Sequence, residues 1–290
     1  MSETELSAII ISFNGREFLS ECLGTLKENL RTLSHEIIVV DNGSADGSAE
    51  WIERTHPDIT LIKNQSNFGF ARAVNIGIQS SSGRFFYVLN QDLRFRPGAT
   101  QALLDRLKAE SELGMIGPKF VGFDGTIQHS ARCLLSYRHV FYEALLLSRI
   151  FPRHREFASW RMGWFDHERE MYVEQPLGSV MMIKREVIEK IGLFDERFPI
   201  FFNDVDFCRR MKVTECRALY YPSAVVEHFL GGSTRRRPVA MKIESYRSVY
   251  RYLAKYARWY ELPLLWICGA LLLIGVVPAV ILAMYRRKPT

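Results

Sequence analysis

The chain has 290 residues, of which 48% are hydrophobic, and a formal net charge of +6 at pH 7. This composition excludes an intrinsically disordered chain, and the length allows one large α/β domain with an appendage. Much of the excess of positive over negative charge falls in roughly the last sixty residues, which suits an anionic membrane surface better than a nucleic-acid duplex. We therefore expect a membrane, and no nucleic acid, among the partners.

The five cysteines show neither a Cys-x-x-Cys pair nor zinc-finger spacing. This pattern favours free thiols in a reducing compartment. The N-terminal sequence MSETEL lacks a basic region followed by an apolar stretch, which predicts that no signal peptide is present. We therefore expect the catalytic part to lie in the cytoplasm.

The N-terminal part alternates between short apolar runs and stretches with apolar residues at helical spacing. Strands are predicted at residues 7–13, 36–40, 59–62 and 84–89, and helices at 16–30, 48–54 and 71–79. This alternation predicts a parallel sheet with helices on both faces. Ligands bind beyond the carboxyl ends of the strands in such sheets, which is where Asn14, Asp41 and Asp92 fall.

The second half of the chain is less regular. Residues 120–164 are rich in arginine, histidine and aromatic side chains, and we expect loops and short helices that border a site. A strand is predicted at 179–183 and a helix at 185–191, followed by two short strands at 218–221 and 224–227.

Residues 262–285 contain no charged side chain. As a helix this stretch would measure about 36 Å, which exceeds a hydrocarbon core of about 30 Å. A buried core helix is the alternative, but core helices seldom run this long without a polar face. A full span and a hairpin or in-plane anchor both stay open.

Three polar positions after predicted strands could bind a ligand or a metal, and each also has a structural explanation. Asp41 could accept hydrogen bonds from a base or ribose, or cap a helix. Asp92 could hold a divalent cation, or belong to a turn. His228 could be a second metal ligand, although lone histidines are more often structural.

Asp204 and Asp206 lie two residues apart beside Phe201 and Phe202. A carboxylate in apolar surroundings can have its pKa raised towards neutrality and act as a general base. The structural alternative is the first turn of a helix, where acidic residues are favoured.

The order and spacing of these motifs resemble the family 2 glycosyltransferases, which have the GT-A fold. Within the family, the chain is most similar to the bacterial branch that includes rhamnosyltransferases of O-antigen, capsule and cell-wall assembly. The resemblance covers about residues 6–235 and rests on the segments SAIIISFNGREFLSECLGTL, IIVVDNGSADGS, NFGFARAVNIGI, FFYVLNQD, GSVMMIKREVIEKIGLFDERFPIFFNDVDFCRRM and YYPSAVVEHFLGGST. It implies an α/β fold with a Rossmann-like mixed sheet, and transfer of a sugar from a nucleotide-diphosphate sugar.

The resemblance also implies roles for particular residues. Asp204 matches the catalytic base, and Asp92 and His228 match the ligands of Mg²⁺ or Mn²⁺. Asp195 and Glu196 are expected to order the floor of the active site. Asp41 is expected to contact the base of the nucleotide. Contacts with substrate are expected for Asn14, Asp41, Asn67, Gly69, Arg72, Asn90, Gly178 and Asp206.

Two positions depart from the family pattern. The metal motif reads Asn90-Gln91-Asp92 and lacks the first acid of Asp-x-Asp, so we expect the metal to bind weakly without the diphosphate. Asn203 stands where the family usually has Glu. The missing like charge should lower the pKa of Asp204 relative to its value beside a Glu.

The expected domains are a GT-A domain at 1–235, a basic juxtamembrane helical segment at 236–261, a membrane-associated helix at 262–285 and a basic tail at 286–290. The expected donor is a dTDP- or UDP-sugar, and the expected acceptor is a lipid-linked saccharide at the cytoplasmic face of the plasma membrane. Arg235, Arg236 and Arg237 suit a lipid diphosphate, or equally a solvated turn or a headgroup contact.

Two other functions fit parts of the sequence. A polyprenyl-phosphate sugar synthase would use the same fold with a different acceptor. A non-catalytic membrane scaffold with a degenerate GT-A domain would explain the acids missing from positions 90 and 203, but not the presence of Asp41, Asp92, Asp204 and His228 together.

Overall fold

The computed structural model describes residues 4–229 and 238–286, with residues 278–286 described as helix backbone. The strands are β1 (Leu6–Ser12), β2 (His35–Asp41), β3 (Thr60–Lys63), β4 (Phe85–Asn90), β5 (Leu93–Phe95), β6 (Leu113–Val121), β7 (Ile127–Gln128), β8 (Ala131–Arg132), β9 (Met171–Val173), β10 (Gln175–Pro176), β11 (Val180–Lys184) and β12 (Arg217–His228). The helices are α1 (Arg16–Leu30), α2 (Ser48–Thr55), α3 (Phe70–Gln79), α4 (Ala99–Lys108), α5 (Tyr137–Ala144), α6 (Leu147–Ile150), α7 (Arg185–Ile191), α8 (Asn203–Met211), α9 (Pro238–Tyr256) and α10 (Leu262–Arg286).

A ten-stranded mixed sheet forms the centre of the molecule, with its main path in the order β3-β2-β1-β4-β11-β6-β12-β5. β1 is parallel to both β2 and β4, and all seven of its residues are buried. A strand covered on both faces is apolar throughout, which is why the parallel half could be predicted from the sequence. Its carboxyl ends bring Ser12, Asp41 and Asn90 to one edge.

β11 runs antiparallel between β4 and β6, with Val180 opposite Leu89. The start of β11 therefore lies at the same edge of the sheet as the carboxyl end of β4. We call the edge of the sheet that carries Ser12, Asp41 and Asn90 the ligand edge, because ligands are expected there. β11 begins at this edge, whereas the parallel strands β1, β2 and β4 end at it.

Two features of the second half differ from the expectations. The strands expected at 218–221 and 224–227 form one strand, β12, whose pairing with β6 shifts in register between Tyr221 and Val225. Pro222-Ser223 between them reads as a turn but forms an irregularity within the strand. β6 was not expected, because Gly114, Gly117 and Pro118 interrupt its apolar pattern.

Apolar side chains pack on both faces of the sheet. One buried cluster includes residues of α1 and α4, and the other includes residues of α3, α7, α8, α9 and the first turns of α10. The boundary expected after residue 235 falls among residues 230–237, outside the described residues. Beyond it, Tyr252 and Leu253 of α9 are buried in the same cluster as residues of the sheet, so α9 packs against the α/β domain.

α10 lies antiparallel along α9. Gly269 packs under the ring of Tyr250 and Gly275 under that of Tyr246, where an added Cβ would lie 3.0 and 2.9 Å from ring atoms. The stretch Trp259–Val277 has a mean hydropathy of 2.0 and is 11% buried. By length and composition it is the one helix long and apolar enough to cross a membrane within the described residues.

Asp206 occupies an internal position between α8 and α9, and its expected contact with substrate stays a prediction. Its carboxylate is fully buried and forms a cluster with Arg210 Nε (2.9 Å), Lys255 Nζ and the Tyr256 hydroxyl (2.8 Å). Asp206, in the first turn of α8, therefore faces inward and joins α8 to α9. Lys255, which the charge pattern assigned to a membrane surface, is thus an internal partner.

We expect Asp206→Asn to lower the free energy of unfolding by about 3 kcal/mol, because it removes a fully buried carboxylate that two partly buried cations share. Thermal unfolding in detergent measures the loss. Glu244→Gln is the control, because it breaks the more exposed ion pair with Arg251 (2.8 Å) and should cost less than about 1 kcal/mol. Equal losses in the two variants would contradict a structural role for Asp206.

Candidate active site

Asp41 lies at the carboxyl end of β2 and is 2% exposed. Its Oδ1 accepts a hydrogen bond from the Ser44 N–H (2.9 Å). Its Oδ2 is buried and has no hydrogen-bond partner among the residues that the structure describes. A buried carboxylate oxygen without a donor is costly, so this position suits a ligand that supplies an N–H or O–H group.

Asn14 follows β1 and supports the loop after Asp41. Its Oδ1 accepts a hydrogen bond from the Ala45 N–H (2.8 Å), and its own N–H donates to Ser44 Oγ (2.9 Å). Its φ of 47° lies in the left-handed region, which asparagine tolerates better than most residues. These bonds fix the loop that carries Asp41, and a direct contact of Asn14 with substrate stays a prediction.

Asn42, to which the sequence assigned no role, joins this loop to the loop after β3. Its Nδ2 donates to Asn67 Oδ1 (3.0 Å) and to the Gly69 carbonyl (3.1 Å). Gly69 has a φ of 85°, and a Cβ there would lie 2.7 Å from the Pro199 carbonyl oxygen. Only glycine fits this position, and it sets the loop against the segment that precedes α8.

Arg72 stands in the first turn of α3 with its guanidinium 4.3 Å above the ring of Phe68. It is half-exposed, and its only ion pair in the described chain is a long one of 4.0 Å to Glu196. Glu196 also accepts from Asn75 Nδ2 (3.1 Å), and Asp195 pairs with Lys255 (2.8 Å). Arg72 is therefore available to an anionic ligand, while the two acids are held in structural contacts.

Gln91, the middle residue of the motif Asn90-Gln91-Asp92, is used to hold the turn in place. Its Oε1 accepts from the Phe13 N–H (2.9 Å) and its Nε2 donates to the Phe13 carbonyl (3.0 Å). A Cβ at Gly15 would lie 2.0 Å from this side chain, so the glycine is required. The turn after β4 is thereby tied to the end of β1.

Asp92 and His228 are both buried, and His228 Nε2 lies 3.7 Å from Asp92 Oδ1. Gln128 orients the imidazole. Its Nε2 donates to the His228 carbonyl (2.8 Å), so its Oε1 faces His228 Nδ1 (3.1 Å). Nδ1 must then carry the proton, which leaves the Nε2 lone pair towards Asp92.

Burial lowers the pKa of His228 to about 4, so the ring is neutral at pH 7. A neutral imidazole nitrogen and a carboxylate oxygen that face each other are ligands that a divalent cation accepts. The described residues contain no group of three or more His, Cys, Asp or Glu side chains that could hold a metal. An ion at Asp92 and His228 would therefore take its other ligands from substrate and water.

Asp204 lies in the first turn of α8, and three N–H groups hold its carboxylate. Oδ2 accepts from Gln175 Nε2 (2.7 Å) and the Gly178 N–H (3.0 Å), and Oδ1 accepts from the Val205 N–H (2.9 Å). Burial raises the pKa of Asp204 above its ordinary value, against the opposing effects of these hydrogen bonds and of the Arg132 charge. A raised pKa makes the carboxylate a better proton acceptor, as a general base requires.

Gly178 and Asn203 set the position of this carboxylate. A Cβ at Gly178 would lie 2.8 Å from Asp204 Oδ2, so a side chain here would push the acid away. Asn203 is 3% exposed and its Nδ2 donates to the Ile200 carbonyl (2.8 Å). Glutamate has no N–H group for this contact, which explains the amide at position 203. Its effect on the pKa of Asp204 stays a prediction.

Hydrogen bonds between neighbouring elements bring the candidate residues to one edge of the sheet. The Asn90 N–H donates to the Ser179 carbonyl (3.0 Å), which joins the end of β4 to the start of β11. The site therefore combines a buried unpaired acceptor at Asp41, a carboxylate and imidazole pair, and a carboxylate with a raised pKa at Asp204.

Residues 7–168 match the family model described as glycosyl transferase family 2. The chain belongs to this family. An N-acetylglucosaminyl-diphospho-decaprenol L-rhamnosyltransferase of Mycobacterium tuberculosis is 30% identical over 246 residues, which cover 79% of this chain and 78% of the relative. A dolichol-phosphate mannosyltransferase of Pyrococcus furiosus is 26% identical, over 79% of this chain and 60% of the relative. The resemblance to a rhamnosyltransferase-like family 2 glycosyltransferase is confirmed.

Solved glycosyltransferase structures share the fold. A mannosyltransferase from Pyrobaculum calidifontis, in complex with GDP-Man and Mn²⁺, superposes with a TM-score of 0.58 at 19% identity and covers 99% of this chain and 76% of that one. GalNAc-T7 with UDP, GalNAc and Mn²⁺ gives a TM-score of 0.56 at 16% identity, over 78% and 44% of the two chains. The expected GT-A fold is confirmed.

We expect Gly178→Ala to lower kcat roughly 100-fold, because a displacement of about 1 Å at the reacting group has an effect of this size. The glycine has no positive φ, so the backbone accepts alanine and the protein should stay folded. Steady-state kinetics beside a nucleotide-binding measurement would show the loss in kcat alone. Gly24→Ala in α1, where an added Cβ meets nothing within 4 Å, is the matched control. Unchanged turnover in Gly178→Ala would remove Asp204 from the role of base.

Proposed function

We propose that this family 2 glycosyltransferase is an inverting enzyme that transfers a sugar, with rhamnose as the first candidate, from a dTDP- or UDP-sugar to a lipid-linked saccharide. The reaction would serve cell-envelope glycan assembly at the cytoplasmic face of the plasma membrane. The observation that carries the proposal is Asp204, a carboxylate of raised pKa held at the ligand edge and separate from the pair formed by Asp92 and His228.

In the proposed reaction Asp204 takes the proton from an acceptor hydroxyl. The hydroxyl oxygen forms a bond to the anomeric carbon of the donor sugar, on the face opposite the nucleotide. The bond from that carbon to the diphosphate oxygen breaks, and the nucleoside diphosphate leaves with the electron pair. One base and one displacement give inversion at the anomeric carbon.

The pair Asp92 and His228 fits Mg²⁺ or Mn²⁺, because the tautomer set by Gln128 presents a nitrogen lone pair beside a carboxylate. The Mn²⁺ in the two solved structures supports this proposal. A divalent ion here would neutralise charge that develops on the leaving diphosphate. Asp41 would hold the nucleotide through its unpaired oxygen.

The lipid-linked acceptor is proposed from the name of the mycobacterial relative, whose acceptor is an N-acetylglucosaminyl-diphospho-decaprenol. The second candidate, a polyprenyl-phosphate sugar synthase, is favoured by the similarity to the dolichol-phosphate mannosyltransferase. A phosphate nucleophile is already ionised at pH 7 and needs no general base. The raised pKa of Asp204 therefore supports a hydroxyl acceptor over a phosphate acceptor.

The apolar helix and the relative's lipid-linked acceptor together suggest association with a membrane. α9 lies beside α10 at Gly269 and at Gly275, and it carries Lys242, Glu244 and Arg247. If α10 crossed the bilayer, these charges would enter the hydrocarbon core, at about 3 kcal/mol for each. We therefore propose that α10 lies in the membrane interface, with its exposed apolar side chains towards the lipid.

We expect donor hydrolysis with one member of a panel of UDP-, dTDP- and GDP-sugars, and loss of that activity with EDTA and in Asp92→Asn. Calorimetric titration of Mn²⁺ in the presence of the nucleotide should show weaker binding in Asp92→Asn by at least about 10-fold. Asp204→Asn is the matched acid-to-amide control, because it should lose transfer while its Mn²⁺ and nucleotide binding stay unchanged. Activity that survives EDTA, or a fully active Asp204→Asn, would overturn the proposed mechanism.

We expect reporters fused before residue 1 and after residue 290 to lie on the same side of the membrane, because a helix in the interface does not carry the chain across it. Paired cytoplasmic and periplasmic reporter fusions measure this. Reporters on opposite sides would show that α10 spans the bilayer.

A further inference from the structure

A cavity of about 910 Å³ lies between β8, the α5–α6 segment and residues 157–167. Four arginines line it, together with Glu143 and Asp166 as the acids. The arginines are Arg132, Arg149, Arg153 and Arg161, so positive charge exceeds negative charge in the cavity lining. None of the residues to which we assign the nucleotide or the metal ion lines it.

Arg132 is a partly buried cation that forms no ion pair with a described carboxylate, although the charges of Asp204 and Glu143 act on it from a greater distance. Within the part of the chain that the structure describes, no carboxylate lies within 4 Å of its guanidinium, which is 5.7 Å from the ring of Trp160. Burial, together with repulsion from Arg161, lowers the pKa of Arg132 to about 10, so it stays charged at pH 7. Removing part of a guanidinium from water without a close anion is unfavourable, and an anionic ligand would offset this cost.

Two more buried polar atoms in the cavity lining have no partner among the described residues. One is Trp160 Nε1, an N–H group without an acceptor. The other is Nε2 of His167, whose Nδ1 must donate to the Phe165 carbonyl (2.9 Å), so Nε2 is an acceptor without a donor. The cavity thus offers a cation, a donor and an acceptor at once, which matches a ligand with both phosphate oxygens and sugar hydroxyls.

Arg132 is the residue of the cavity lining that lies next to the support of the proposed base. Arg132 in β8 pairs with Gln175 in β10, and the Gln175 side chain donates to Asp204 (2.7 Å). The other amide atom, Gln175 Oε1, is buried and unpaired in the described chain. The charge of Arg132 also acts on Asp204. A ligand in the cavity would therefore present its inner hydroxyl groups to the base.

The outer end carries exposed apolar side chains on both sides of Arg149. We call these four residues the apolar turn: Leu145, Leu146, Ile150 and Phe151, which are 63%, 48%, 61% and 47% exposed. The turn directly follows α5, and α5 packs against α10. An apolar surface beside the apolar helix and next to exposed arginines is suited to a membrane interface.

We propose that this cavity binds the acceptor, a saccharide joined through a diphosphate to a polyprenyl chain. The sugar lies at the inner end by Gln175 and Asp204, the diphosphate binds the guanidinium groups of Arg149 and Arg153, and the polyprenyl chain leaves over the apolar turn into the lipid. Arginine forks bind phosphate oxygens in two-point contacts. This inference rests on the proposed function and assigns its acceptor to a particular cavity.

The test uses farnesyl diphosphate as a probe, with farnesol as the tail-matched control, and measures binding to the detergent-solubilised full chain by calorimetry. We expect farnesyl diphosphate to bind at least roughly 10-fold more tightly than farnesol, and Arg149→Gln/Arg153→Gln to remove that preference. The matched control is Arg138→Gln/Arg155→Gln, which removes the same number of charges from the same segment, at positions that do not line the cavity. This control should bind farnesyl diphosphate as tightly as the unaltered chain does.

Several outcomes would overturn the proposal. One is equal binding of the two farnesyl probes. A second is full binding by Arg149→Gln/Arg153→Gln, and a third is competition between farnesyl diphosphate and UDP, which would assign the arginines to the donor. The fourth outcome concerns phosphatidylglycerol vesicles. If Arg149→Gln/Arg153→Gln weakens binding to these vesicles as much as it weakens binding of farnesyl diphosphate, the cavity is a site for lipid headgroups. Binding of the nucleotide is measured in parallel. If no nucleotide binds while farnesyl diphosphate still does, the proposed function is wrong but the cavity still binds a polyprenyl diphosphate.

Discussion

The contact between the Asp204 carboxylate and the backbone of Gly178 is the constraint around which the second half of the chain is arranged. It requires a residue without a side chain two positions before β11. It also requires β11 to begin at the edge where β4 ends, which only a strand antiparallel to β4 can do. It also requires α8 to be held firmly, and the buried Asp206 does this by joining α8 to α9. A helix expected to be a juxtamembrane appendage thus supports the helix that carries Asp204, the proposed base.

The sequence predicts the parallel half of the sheet well, because strands buried on both faces are apolar throughout and end in turn-forming residues. It fails for β6, whose glycines and proline hide a buried strand. Asp204 and Asp206 share a helix turn, and the pattern gives no means to tell which acid faces the ligand edge. The sequence assigned no role to Gln91, Asn42 or Gln128, because each acts through partners distant in sequence.

The irregular segment between β6 and β9 contains chemistry that no periodicity reveals. Its arginines converge only when β8 pairs with β10, which puts Arg132 opposite Gln175 and beside the base. Charge counts along the chain pointed instead to the C-terminal residues, of which Lys255 turned out to be internal. Position in the fold, and not abundance in the sequence, decides which cations are available to an anionic ligand.

β11 is synthesised well after the strands on its two sides. β3, β2, β1 and β4 can pair with one another once residue 90 has been made, but residues 122–179 separate β6 from β11. During that interval β4 and β6 both present unpaired edges to other chains. A nascent chain paused there would be most exposed to aggregation and most in need of a chaperone. The late synthesis of β11, the strand next to the proposed base Asp204, therefore sets the period in which the nascent chain is most exposed to aggregation.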